Sequence, residues 1–520
     1  MSMIRNASEV PGSDAPWLVR AFVPVILAIV FLKLVLAYLV PLTGDEAYFD
    51  LWARNPAFGY YDHPPMVGWW LIAIQGVPPL ALRMPAVLVS LLPGLIVLWL
   101  FGRTDPVRAR LAALIALCMP LFMFGIGIST DTPLVLFGIC ALAFCQKGIE
   151  TGRAGYFLLG GIALGLAFLS KYFAVLLGLG IAIHILLMLR PISPTALRAL
   201  LLIAIGVLPA VVLNLSWNAC NCWYNIQFNL VSRTGSVSLG LEGTATYLLM
   251  LTYVLTPWVL WAFWRHRAEF RKSTATPRTE LWIVASLSGL ALLGLVSLFR
   301  GIGLHWLAVF LPGVMLALPR LPTATLGRLA WASLGFAALQ GMVLAAILAL
   351  PLERLANLAG RSGDMSSVEF YRFPDRLAER VSRVAASRPM FTESYSRSSV
   401  LTYYTGEVVG VFGRGSRYGR QFDMITDFRE LNGDDLGVVL FDANRARIYA
   451  DFFDSYELQA LGSPEYGPWL LEGQGFRFDR YREDVLSQVV ESYYRLPAML
   501  SSVGRCAFLE RYELSRPTGE

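Results

Sequence analysis

The sequence predicts a polytopic α-helical membrane protein with about eleven transmembrane helices and a C-terminal soluble α/β domain. Three observations predict it. Of 520 residues, 56% are hydrophobic and only 15% charged, with a mean hydropathy of +0.55, whereas an ordinary soluble domain is roughly 25% charged. Apolar runs of about twenty residues, the length a helix needs to cross a bilayer, recur through the first 350 positions. After about Leu350 the composition changes: charged residues become frequent, and short β-rich pieces (SVLTYYTG, VVGVFG, LGVVLF) stand between Gly, Asp and Asn.

In chain order, Met1 to Arg20 carries Arg5 and Arg20 and is expected on the cytoplasmic side. The stretch from Phe22 to Val40 is too long for a signal-peptide core, and no small-residue cleavage site follows it. Apolar runs lie near 21–41, 84–101, 110–128, 132–147, 154–170, 172–189, 196–215, 244–264, 280–298, 304–319 and 326–350. An odd number of crossings puts the N-terminus inside and the C-terminal domain outside. Loop charge agrees with that orientation. Loops assigned inside hold Arg103, Arg108, Arg110, Lys147, Arg153, Arg190, Arg198, Arg265, Arg267, Arg271, Lys272, Arg278, Arg320 and Arg328; those outside hold only Arg54, Arg83, Lys171, Arg233 and Arg300. The net charge of +6 is therefore read as a topology signal and not as a nucleic-acid footprint. Residues 1–350 form the membrane part and 351–520 the outer domain, which is long enough for its own core.

The stretch directly after the first apolar run, GDEAYFDLWARNPAFGYYDHPP from Gly44 to Pro65, holds four acids (Asp45, Glu46, Asp50, Asp62), His63, Arg54 and six aromatics. Ionisable and aromatic groups at this density beside a membrane suggest a reaction centre; solvated acids within an aromatic belt are the plainer alternative. Other charges on the outer side are Asp131, Lys171, Arg233 and His305. Lys171 lies among apolar neighbours, so its ammonium must snorkel or meet an anion. Asp131 in ISTDTPL could cap the helix that follows. Lys33, within the first span, is read as snorkelling outward.

Asn214 to Gly243 is a longer outer segment whose Trp217, Asn218, Trp223, Tyr224 and Phe228 suit an interfacial helix, followed by Arg233 as a phosphate clamp. Cys220 and Cys222, one residue apart, bridge each other only with strain and are expected as free thiols; Cys506 is expected unpaired, and Cys118, Cys140 and Cys145 read as small apolar helix residues. No cysteine spacing suggests zinc. The GRGSRYGRQFD segment reads as a turn-rich edge or a site for an anionic partner, and not as a nucleotide loop.

Together, DEAYFDLW, GYYDHPP, STDTPL, LGLAFLSKY, SWN and LHW resemble the bacterial polyprenyl-phosphate-sugar glycosyltransferases. These include protein O-mannosyltransferases and the lipid A aminoarabinose and galacturonic acid transferases, which share the GT-C fold. The resemblance spans nearly the whole membrane part and, more weakly, the outer domain. It implies Asp45 as the catalytic carboxylate with Glu46 beside it, and His63, Lys171 and Arg233 at the donor phosphate. It further implies Tyr60, Tyr61, Asp62, Asp131, Asn218, His305 and Trp306 around the substrates. Where the aminoarabinose transferases carry a lysine before the proline, this chain has His63.

The implied reaction suits the residues. A polyprenyl-phosphate donor keeps its tail in lipid and its phosphate at the interface, where cations stabilise the leaving phosphate, and a carboxylate opposite can deprotonate or orient the acceptor. The expected function is inverting transfer of a sugar from that donor to an envelope acceptor, lipid A or another glycolipid, at the outer face of the cytoplasmic membrane. The alternatives are a protein O-mannosyltransferase-like enzyme and, in another class, a lipid or sugar transporter or flippase; no repeated half or paired broken helices support the latter. Expected partners are the lipid-linked donor, a glycolipid or protein acceptor and membrane lipids, without nucleic acid. No cofactor or metal ligand set is assigned, and a divalent cation is left open.

Overall fold

The computed structural model describes residues 17–188, 193–232, 240–268, 277–358, 360, 365–385, 388–463, 467–496 and 504–515. Their apolar runs fold as helices, the form in which a backbone in lipid satisfies its own polar groups. Six helices are long and apolar enough to cross a membrane: Phe22–Leu39, Pro79–Phe101, Asp131–Thr151, Pro194–Cys220, Thr279–Ser297 and Thr323–Ala349. A seventh candidate, Leu241–Leu255 with Pro257–Arg265, is bent by 86°. Three shorter apolar helices accompany them: Ala154–Ser170, Ala174–Leu187 and Leu304–Arg320. This is a multi-pass helical membrane protein. Phe22–Leu39 and Thr323–Ala349 bury few of their residues, whereas Asp131–Thr151 buries most of its own, so the first two lie at the periphery of the bundle and the third is central.

Several predicted runs are interrupted, with a proline opening the next turn at Pro93, Pro120, Pro257 and Pro312. The run 110–128 stops as a helix at Leu117, before the single turn Pro120–Met123. That turn leaves carbonyls unpaired, and Lys33 fills them. Its ammonium is buried and donates to Ser90 Oγ at 3.0 Å, to the Met123 carbonyl at 3.2 Å and to the Phe122 carbonyl. The expected outward snorkelling is thereby overturned: the lysine satisfies a helix end inside the bundle.

The C-terminal part holds a mixed five-stranded sheet of β1 (Met390–Thr392), β2 (Val409–Val411), β3 (Leu436–Leu440), β4 (Ser455–Ser463) and β5 (Gly467–Gln474), in the order β2-β1-β3-β5-β4. β1 pairs in parallel with β2 and β3; β5 runs antiparallel to β3 and β4. VVGVFG and LGVVLF contain strands as expected, but SVLTYYTG does not. It ends the helix Tyr395–Thr405, which stops at Gly406 with φ +82°. Packing overrides its β-branched content: Val400 and Leu401 are buried against the helix Gly44–Arg54 in one core. The approach there is so close that a Cβ on Gly44 would stand 1.9 Å from Ser396 Oγ.

That core unites Ala47, Trp52 and Val67 with Leu377, Val439 and Leu470. A second joins Tyr61, Tyr224 and Phe228 to Phe391, Phe412 and Tyr494. The segments around 47–67 and 224–228 thus pack with the sheet as one mass. A disulfide links Cys222 to Cys506 across 284 residues of sequence, which corrects the expectation that both stay free. Its cause is tertiary: the Arg505 carbonyl accepts the Cys222 amide at 2.9 Å, and Arg505 N donates to the Ala219 carbonyl at 2.8 Å, so two short backbone bonds bring the thiols together. Cys118, Cys140, Cys145 and Cys220 are free.

Candidate active site

The helix Gly44–Arg54 begins with a capping box in which Thr43 Oγ1 accepts the Glu46 amide at 3.3 Å and Glu46 returns a carboxylate oxygen to the Thr43 amide at 3.0 Å. This start fixes what each acid of the stretch can do. Glu46 is buried and takes both its oxygens to Arg83, at 2.7 Å each. Arg83, equally buried, spends its other donors on the carbonyls of Ala37, Val40 and Pro41, where the first span ends. Asp50 accepts from Arg54 Nε at 2.8 Å and the Gly76 amide at 2.7 Å. Asp62 accepts from Tyr48 Oη at 2.8 Å and the Gly419 amide at 3.3 Å.

Asp45 differs from the other three. It is exposed, and its Oδ1 accepts from Tyr395 Oη at 3.0 Å. It opens on a cleft of about 220 Å³ lined also by Asp62, His63, His305, Tyr395 and Tyr418. Burial, then the Asp45 carboxylate, pushes the Tyr395 phenol well above its ordinary range, and burial and Asp62 do the same for Tyr48. Both hydroxyls therefore remain donors and hold their carboxylates as acceptors.

A second cavity of about 230 Å³ adjoins, and His305 lines both. Its polar lining is Ser90, Ser129, Asp131, Thr132 and His305, and most of the rest is apolar. Asp131, in the first turn of its helix with Thr130 as the cap residue, accepts from Lys171 Nζ at 2.8 and 3.0 Å and stands 3.8 Å from His305 Nε2. Lys171 occupies the extended break between two helices. Its ammonium meets an anion, as its apolar neighbourhood required, and lies 5.2 Å from the Phe173 ring centre.

The structure thus gathers Asp45, Asp62, His63 and His305 at one cleft, with Asp131 and Lys171 behind His305. It places other named residues elsewhere. Tyr60 is buried, stacked on Trp52 at 4.4 Å, with its hydroxyl on the Trp52 carbonyl. Tyr61 sits in the second core. Asn218 is buried, bonded to Asn214 and Asn225. Trp306 packs on Phe173 at 4.5 Å beneath Arg300. Arg233 lies outside the described residues. Among the described residues no three His, Cys, Asp or Glu side chains converge as a metal site. Tyr395 and Tyr418 went unnoticed in the sequence; Gly419 was the available signal. It adopts φ +72°, and a Cβ there would meet the Tyr395 ring at 2.1 Å, so only glycine lets this loop close over the cleft.

Comparisons with known proteins agree with this fold. Residues 62–217 match the family described as dolichyl-phosphate-mannose-protein mannosyltransferase. The lipid A galacturonosyltransferase of Rhizobium johnstonii is 29% identical over 190 residues, which take in 35% of this chain and 38% of that relative. Crystal structures of ArnT from Cupriavidus metallidurans superpose over 88% of this chain. The apo form matches with a TM-score of 0.59 at 18% identity over 97% of its own chain, and the form bound to undecaprenyl phosphate with 0.60 at 15% over 98%. The resemblance to GT-C glycosyltransferases read from the sequence is borne out.

Proposed function

We propose that this chain is an inverting glycosyltransferase that moves a sugar from a polyprenyl-phosphate donor to lipid A or another envelope glycolipid. One observation carries the reading: of the four acids after the first span, Asp45 alone is exposed, in a cleft it shares with two histidines. In this mechanism the acceptor oxygen attacks the anomeric carbon as the bond to the phosphate oxygen breaks, and that oxygen keeps the electron pair. Asp45 takes the proton of an acceptor hydroxyl, or orients an acceptor that is already an ionised phosphate. His63, His305, Lys171 and Arg233 offset the charge gained by the departing phosphate. Lys171 is engaged with Asp131, so its share requires that this pair loosen when the donor arrives. The adjoining apolar cavity suits the first units of a lipid tail. We place the cleft on the periplasmic side of the inner membrane, with eleven crossings, a cytoplasmic N-terminus and residues 351–520 as an outer domain; the arginine distribution between loops supports this.

The lipid A acceptor of the rhizobial relative and the undecaprenyl phosphate in one ArnT structure favour these substrate classes. A protein acceptor is the second reading, favoured by the family match over residues 62–217. Mass spectrometry of glycolipids and envelope proteins from cells with and without the chain separates them. A sugar-sized mass on lipid A or core that depends on the chain supports the first. The same mass on peptides, with glycolipids unaltered, overturns it.

A further inference from the structure

We propose that Asn225 and Asn229 are positioning residues that clamp the backbone of Tyr60–His63 and thereby aim Asp62 and His63 into the cleft. The proposal rests on reading that cleft as the reaction site. Tyr60 to His63 is non-helical and is followed by two prolines. Its carbonyls belong to no helix or sheet ladder, yet they lie in a packed region where unpaired carbonyls are costly. A short helix, Tyr224–Ile226, continued by a π-turn at Gln227–Ser232, supplies the donors. Asn225 Nδ2 shares its two hydrogens among the carbonyls of Tyr60, Tyr61 (3.0 Å) and His63 (3.3 Å), the last of which also accepts the Tyr60 backbone amide at 3.1 Å. Asn229, four residues on and so on the same face, donates to the Asp62 carbonyl at 3.3 Å. Two amide side chains thus reach all four carbonyls, and for those of Tyr60, Tyr61 and Asp62 they are the donors.

The other end of Asn225 reaches the opposite wall. Its Oδ1 accepts from Tyr172 Oη at 3.1 Å and from Asn214 Nδ2 at 3.4 Å, and Tyr172 follows Lys171 directly. Carbonyls face the amide nitrogen and donors face the oxygen, so the orientation of this buried side chain is fixed by its surroundings. The clamp itself is anchored: the Asn225 amide donates to Asn218 Oδ1 at 3.1 Å, and the turn before it is tied by Cys222 to Cys506. One side chain therefore bridges the loop bearing Asp62 and His63 and the helix break bearing Lys171.

The test measures steady-state sugar transfer and hydrogen exchange of residues 57–66 in the full-length, disulfide-intact protein. Asn225→Asp keeps the size of the side chain and deletes its donors. It is expected to lower kcat about tenfold or more, the scale of a misplaced catalytic group, while donor and acceptor KM stay within about twofold and exchange in 57–66 rises. Asn229→Ala is expected to give the same pattern, less severely. A fall in KM-dependent terms alone, or a folded Asn225→Asp enzyme with normal kcat, overturns the proposal. If Asn225 variants do not fold, Asn229→Ala decides: unchanged kcat overturns the clamp, and reduced kcat with unchanged KM supports it. If the native chain transfers no sugar while exchange in 57–66 still rises in Asn225→Asp, the transferase reading fails and the backbone clamp survives.

Discussion

Glu46 and Asp45 are adjacent, and the structure gives them opposite roles that mutation can separate. Arg83 and Glu46 form a two-bond ion pair buried on both sides, and Arg83 also holds three carbonyls at the end of the first span. Replacing Arg83 with Met strands a buried carboxylate, which costs about 3–5 kcal/mol. A unit of 150–250 residues loses roughly 2–4 °C per kcal/mol; halving that for a unit twice as large gives an expected fall in Tm of roughly 3–10 °C. Glu46→Gln should also lower Tm, because it leaves the buried guanidinium without a counter-charge and turns an amide NH2 toward one of its donors, while the three carbonyls keep theirs. The assay is thermal unfolding in detergent followed by turnover at a temperature where each variant is folded. Glu46→Gln should retain most of its turnover per folded molecule. A Glu46→Gln enzyme with native Tm and no turnover would refute the assignment of Glu46 to the scaffold.

Further outcomes are expected elsewhere. Tyr395→Phe removes the donor to Asp45 and should lower kcat roughly two- to tenfold, the worth of one modest hydrogen bond; an unchanged kcat would show that this contact does not orient Asp45. Lys171→Ala should raise donor KM about ten- to a hundredfold, and adding Asp131→Leu should restore stability without restoring donor affinity; recovery of both would reassign Lys171 to the scaffold. Burial raises the phenols of Tyr48, Tyr395, Tyr481 and Tyr494 above the ordinary 10.0. The folded chain then keeps protons that the unfolded chain releases above that value, so stability should be insensitive to these groups below pH 10 and fall above it. Melting curves at pH 8, 9.5 and 11 check the sign. Alkylation before reduction should label Cys220, which is exposed, and leave Cys222 and Cys506 in one linked peptide; separate labelled peptides would contradict the pairing.

Much of this arrangement was legible in the sequence. Apolar runs announced the helices because lipid imposes a length and excludes charge. The acid-rich stretch stood out because so many ionisable groups do not gather at a bilayer surface without cause. What the sequence hid is tertiary. Arg83 looked like one more outer-loop base, and only the fold shows it locked on Glu46. Lys33 looked able to snorkel until the broken helix at Pro120 exposed carbonyls for it to satisfy. Cys222 and Cys506 are far apart in sequence, and no spacing rule pairs them. The segment after Ser394 has strand-like composition, yet it packs as a helix because the helix at Gly44 offers it a closely fitting face. Asn225 carries no motif at all; its importance lies in four carbonyls that only three dimensions bring to it and to Asn229.

Turnover by purified Asp45→Asn decides whether Asp45 performs or directs a glycosyl transfer in the cleft. Native chain and variant are incubated with a panel of radiolabelled polyprenyl-phosphate sugars and lipid A-containing membrane extract, with unfolding curves run in parallel. Label is expected to move to glycolipid with the native chain, and nearly all of that transfer to be lost in a variant whose Tm is unchanged, because the side-chain oxygen of an asparagine still accepts from the half-buried Tyr395. Near-normal transfer by a folded Asp45→Asn protein would contradict that role.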